Sequence, residues 1–116
     1  MNILITSVKE LMARDLAKLK QEISAYKTED SIWRLEGEIK NTAGNLCLHV
    51  CGNLQHYMGA VLGQSGYVRN RDAEFSIKGL SQAALVKEIE TTLHVVEQTL
   101  ANISPGILDQ QYPEIV

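Results

Sequence analysis

The stretch Asn41–Phe75, NTAGNLCLHVCGNLQHYMGAVLGQSGYVRNRDAEF, decides how the rest of this chain is read. Its first part predicts a long helix. Asn41 or Thr42 can cap the orphan amides at the start, and Gly63 suits the stop. Between them Ala43, Leu46, Cys47, Val50, Leu54, Tyr57, Met58 and Val61 form the apolar set. Gly44 and Gly52 each cost about 1 kcal/mol of helix propensity relative to alanine. A cost of that kind is usually offset by close approach of another backbone, so both glycines predict tight helix packing. The second part, Arg69–Phe75 (RNRDAEF), is a loop of interleaved charge.

Working outward, two further helices frame this stretch. On the N-terminal side Ile5, Val8, Met12, Leu16, Leu19, Ile23 and Tyr26 recur at three- and four-residue steps, the period of an amphipathic helix over about 3–27. Lys9, Arg14, Lys18, Lys20 and Glu22 fill its other side. A connection carrying Trp33, Leu35 and the turn residue Gly37 follows, with Trp33 expected to plug one end of the core. On the C-terminal side Ser81 is the expected N-cap of a helix over about 81–103. Leu80 and Leu85 make its hydrophobic staple, and Val86, Ile89, Leu93, Val96, Leu100 and Ile103 form its stripe. Ser104, Pro105 and Gly106 end it, and the tail Ile107–Val116 has no helical pattern. The crossover over 64–80 is long enough to run roughly 50 Å if extended, so the third long helix can start parallel to the second.

Composition narrows the class. A chain of 116 residues, 45% hydrophobic and 22% charged, is expected to form one helical domain over 1–116. A net charge of −3 without a basic cluster offers no electrostatic footprint for nucleic acid. A short apolar opening before Lys9 and Glu10 is no signal peptide or membrane span, so a cytoplasmic location is expected. Cys47 and Cys51 sit four apart on one helix, about 5–6 Å between Cβ atoms, against about 3.8 Å for a disulfide. Buried, reduced thiols fit better.

The GNL-C-LH-V-C-GNL repeat and the RDAEF block together resemble the DinB-like superfamily of metal-binding helical bundles, in particular an uncharacterised branch with GNL-x-LH-x-x-GNL followed by RDAEF. The resemblance implies an all-α, up-down-down-up four-helix bundle with a long crossover between helices two and three. Three of the four helices are present, and Val116 falls about where the fourth would begin. A fragment, a shortened member and a helix supplied by a partner all accommodate this. The metal site of such bundles uses a mid-helix histidine on helix two and an H-x-x-x-H pair on helix four. His49 matches the first ligand, and nothing in this sequence matches the other two. The implied cofactor is a divalent metal, zinc or nickel. The implied chemistry is that of metal-dependent thiol transferases or hydrolases, in which an open coordination position activates a bound water or thiol.

The residues themselves add conditions. His49 and His56 lie seven apart, about 10 Å along the helix axis, too far to share an ion. In C-L-H-V-C, His49 points roughly 200° away from Cys47, so the string is no zinc motif in three dimensions. His56 and His94 read as boundary residues. His49 also falls about 140° from the apolar seam centred on Leu54, which requires this helix to be packed on two sides. A second subunit would supply that packing, and a homodimer is expected. Arg69 and Arg71 are candidate binders of an anionic substrate. The competing reading pairs them with Asp72 and Glu74, with Phe75 plugging the core, as a strut for the crossover. Two functions follow: a metal-binding protein with His49 as one ligand, or a non-catalytic dimeric helical scaffold without metal.

Overall fold

The computed structural model describes residues 3–35 and 41–102. The expected turn at Gly37, the end of the last long helix at 103–106 and the tail 107–116 lie outside them. The described residues form helices and no strand: α1 (Ile3–Ser24), α2 (Glu29–Ile32), α3 (Ala43–Leu54), α4 (Arg71–Ser76) and α5 (Gln82–Asn102). A π-helical segment, Gln55–Leu62, continues α3 to Gly63. None of these helices is long and apolar enough to cross a membrane.

α1 folds as its periodicity predicts. Ile5, Leu16 and Ile23 are buried, with Val8, Met12, Leu19 and Tyr26 packed beside them. It stops at Ser24, three residues short of expectation, and another side chain meets the carbonyls around its end. Gln82 Nε2 donates to Ile23 O and Tyr26 O at 2.7 and 3.0 Å. That pair places the start of α5 against the end of α1, so the two helices run antiparallel. Ser81 caps α5 through Ala84 N, as its sequence suggests.

α3 and α5 run parallel. Gln55 Nε2 reaches Glu88 and Thr92 at 2.6 and 3.0 Å, while Gly59 meets Val95 and Gly63 meets Thr99 further along. Cys47, Cys51, Gln55, Gly59 and Gly63 thus step by four along one face. In an α-helix of 3.6 residues per turn, each such step over-rotates by about 40°. A π-helix, with i→i+5 bonds, takes more residues per turn, so the drift reverses after Gln55. The wide turn keeps Gly59 and Gly63 against α5.

This face revises the apolar set read from the sequence, of which Leu54 and Met58 pack against the core. Cys47 is fully buried, but Leu46 and Val50 are 43% and 38% exposed, and the buried positions are Gly44, Asn45, Cys51, Gly52, Gln55 and Gly59. The reason is distance: small residues let α5 and α4 approach closely, and larger ones are turned outward. The glycines are also used differently from expectation. A Cβ at Gly44 would stand 2.7 Å from the Trp33 ring, and one at Gly52 would collide with the Glu74 carboxylate, so each admits a side chain and not a backbone. Trp33 plugs the core end as predicted, its Nε1 donating to Leu80 O at 3.0 Å.

Because that hydrogen bond pins the indole, Gly44→Ala cannot be absorbed by moving the ring. Overpacking of about 1–3 kcal/mol outweighs the gain of about 1 kcal/mol in helix propensity. Urea unfolding followed by Trp33 fluorescence should show the variant less stable, by about 1 kcal/mol.

Candidate functional site

The two connections contain helices too short to leave a periodic trace, and one of them, α4, builds the site. Asn70 caps it, its Oδ1 accepting from Ala73 N at 3.0 Å. Thr42 caps α3, its Oγ1 accepting from the backbone amide of Asn45 at 3.0 Å. Asn45, fully buried, then reaches across: its Nδ2 donates to Glu74 O at 2.9 Å and Ile77 O at 2.8 Å. Its Oδ1 accepts from Thr42 Oγ1 and from Lys78 Nζ. Asn45, His49 and Gly52 are spaced i, i+4, i+7 and form one stripe facing α4. This answers the question of what lies on the side of α3 away from the apolar seam. It is the crossover itself, and no second subunit is needed for that packing.

At the middle of the stripe stands a cluster of three charged or chargeable groups. Arg69 grips the Glu74 carboxylate in bidentate fashion, Nε to Oε2 at 2.9 Å and Nη2 to Oε1 at 3.0 Å. His49 Nδ1 lies 3.1 Å from the same Oε1 and 3.3 Å from Arg69 Nη2. Phe75 packs on the imidazole with ring centroids 5.0 Å apart. The Glu74 side chain is only 7% exposed, and that of His49 is 30% exposed. Burial alone would push the Glu74 carboxyl up. The hydrogen bonds from Arg69 and His49, with their charges, outweigh it and hold the group below its ordinary value. The hydrogen bond to Glu74 in turn raises Arg69 despite burial.

On its other side His49 lines a groove of about 510 Å³ between α1 and α3, walled mainly by Met12, Leu16, Leu19, Val50 and Leu54 with Asp15 and Asn53 at the polar positions. An imidazole held by a carboxylate at one nitrogen and reachable from such a groove can act as a base or as a metal ligand. The donor set for an ion is short, however. Among the described residues no group of three His, Cys, Asp or Glu side chains could hold one. His56 packs edge-on against Tyr57 and His94 is exposed on α5, so neither joins His49. Cys47 and Cys51 are buried thiols without a disulfide, as expected. The hydrogen bond with Cys51 and burial push the Cys47 thiol up.

The scan against protein-family models finds one described as "Protein of unknown function (DUF1572)", matching residues 2–112. The chain belongs to this family. No curated protein and no solved structure matches it. Family membership therefore assigns no activity, and the site must be read from its own residues.

Of the residues singled out in the sequence, the structure joins His49 with Arg69 and leaves Arg71 exposed on α4. Arg69 is occupied by Glu74, the pairing expected of a strut. Glu74 as partner of His49 was missed, and so was the bridging role of Asn45. A signal existed in Gly52, which shares the His49 face: a glycine there marks where something large comes close. The distance of 25 residues to Glu74 is invisible to any local pattern.

A carboxyl held below its ordinary value of 4.5 stabilises the fold at neutral pH. That contribution is lost as pH falls from there through the folded-state value. Urea midpoints measured between about pH 7 and pH 3 should therefore fall more steeply for the wild type than for Glu74→Gln, with the two curves converging at the acid end.

Proposed function

We propose that this chain is a divalent-metal-binding protein in which His49 is one ligand and the remaining ligands come from outside the described residues. The observation that carries the reading is the setting of His49: one ring nitrogen backed by the buried Glu74 carboxylate, the ring part-exposed at a groove with room for further donors. Metal-bound imidazoles almost always have such an outer carboxylate or carbonyl. The resemblance to DinB-like bundles supports the same residue, and the antiparallel–parallel order of α1, α3 and α5 agrees with the first three helices of that architecture. Imidazole suits zinc and nickel equally. Among the described residues no group of three ligating side chains stands at His49, so we assign no reaction step. Kinship with metal-dependent thiol transferases or hydrolases belongs to the completed site, with Arg71 an exposed cation on α4. The paired thiols fit a reducing, cytoplasmic compartment.

A second reading has its own support. Leu4, Leu11, Leu46 and Val50 are exposed apolar side chains on α1 and α3, and surface of that kind favours association. Under this reading the chain is a dimeric helical scaffold, and the His49–Glu74–Arg69 cluster only anchors the crossover. Homodimerisation is common to both readings, and metal separates them.

The test is metal content by elemental mass spectrometry on untagged protein, before and after incubation with zinc or nickel. The wild type should carry near-stoichiometric metal, and His49→Ala should lose it at least about tenfold while keeping its helical circular dichroism. No metal in the loaded wild type would leave the scaffold, and equal metal in both proteins would sink His49 as a ligand.

A further inference from the structure

We infer that Glu74, locked by Arg69, is a positioning residue that fixes the His49 imidazole with its proton on Nδ1 and its lone pair on Nε2, the nitrogen away from Glu74. The contact geometry alone leaves two arrangements. Nδ1 can donate to Glu74 Oε1 at 3.1 Å, or it can accept from Arg69 Nη2 at 3.3 Å. In the second arrangement an imidazole lone pair would face a carboxylate oxygen at the shorter distance. Arg69 Nη2 is also already donating to that oxygen at 3.0 Å. The first arrangement satisfies every group: Oε1 accepts twice, Oε2 accepts from Arg69 Nε, and no lone pairs oppose each other.

The support behind this arrangement is unusually complete for one side chain. The carboxylate cannot rotate because Arg69 holds both oxygens. Its backbone cannot withdraw because Asn45 holds the carbonyl of Glu74 itself. Its place exists only because residue 52 has no Cβ. Phe75 covers one side of the ring. The crossover therefore acts on α3 as a jig, presenting the basic nitrogen of His49 away from α4. This deepens the metal-ligand reading and takes its purpose from it, but its test needs no metal.

Long-range ¹H–¹⁵N correlation spectra of the histidine side chains, on metal-free protein at about pH 9, well above the ordinary imidazole range, report the tautomer directly. His49→Ala assigns the signals. The wild type should show His49 as the Nδ1–H form. Glu74→Ala removes the acceptor, and Gly52→Ala expels it while leaving its charge in the chain. A hydrogen bond to an ionised partner shifts such an equilibrium by about tenfold or more, so both variants should move the ratio that far toward Nε2–H. A wild-type signal of the Nε2–H form would overturn the inference, as would a ratio within about twofold of wild type in folded variants. Should both variants unfold, the wild-type spectrum still decides. A protein that shows the Nδ1–H form and binds no metal would sink the ligand reading and leave the positioning intact. The reverse pair of results would do the opposite.

Discussion

A carboxylate removed from water must be neutralised or it will not stay charged, and the burial of Glu74 is the constraint that organises this protein. Desolvation of such an ion costs several kcal/mol even after relaxation, and removing one partner of a buried pair typically costs about 3–5 kcal/mol. Arg69, five residues earlier, supplies the compensating charge in the two-point geometry that suits a carboxylate. Satisfying this one group determines much else. Residue 52 must lack a side chain, residue 45 must bridge, and α4 must lie flat on α3. His49, on the same stripe, is brought under the carboxylate as a result.

The same arrangement makes the long crossover possible. A connection that returns along a helix exposes its backbone polar groups unless something receives them. Here Asn45 receives two carbonyls of the returning chain and Trp33 receives a third at Leu80. With the crossover seated, α5 starts beside the end of α1 and runs parallel to α3. Between α3 and α5 the core is partly polar: Gln55, Glu88 and Thr92 hydrogen-bond across it. Slipping the register would leave those groups unpaired, so they specify alignment more than they add stability.

The outward face of α3 gains meaning from this arrangement. Two of its faces are spent on α4 and α5, and the third, with Val50 and Leu54, borders the groove toward α1. His49 stands at the edge between a polar, rigid wall and an apolar, open one. That position suits a functional imidazole, since rigidity comes from one side and access from the other. It also explains why the cluster is more than a surface ion pair: its carboxylate is buried, its three members are mutually hydrogen-bonded, and they come from three different points of the chain.

Much of this was legible in the residues. The stripes of α1 and α5 placed their buried side chains correctly, because a long amphipathic helix repeats its signal several times. Thr42, Gly63, Ser81 and the Arg69–Glu74 pairing were readable from local chemistry. α2 and α4 were not, since four and six residues are too few for a period to show. The buried face of α3 was misread because hydrophobicity predicts burial only where large side chains fit, and close packing selected glycine, cysteine and asparagine instead. Local composition thus determined which long segments are helical and where α3 and α5 begin. Only the tertiary structure decided which face of α3 is inside and which carboxylate meets His49, because both depend on how closely segments distant in sequence can approach.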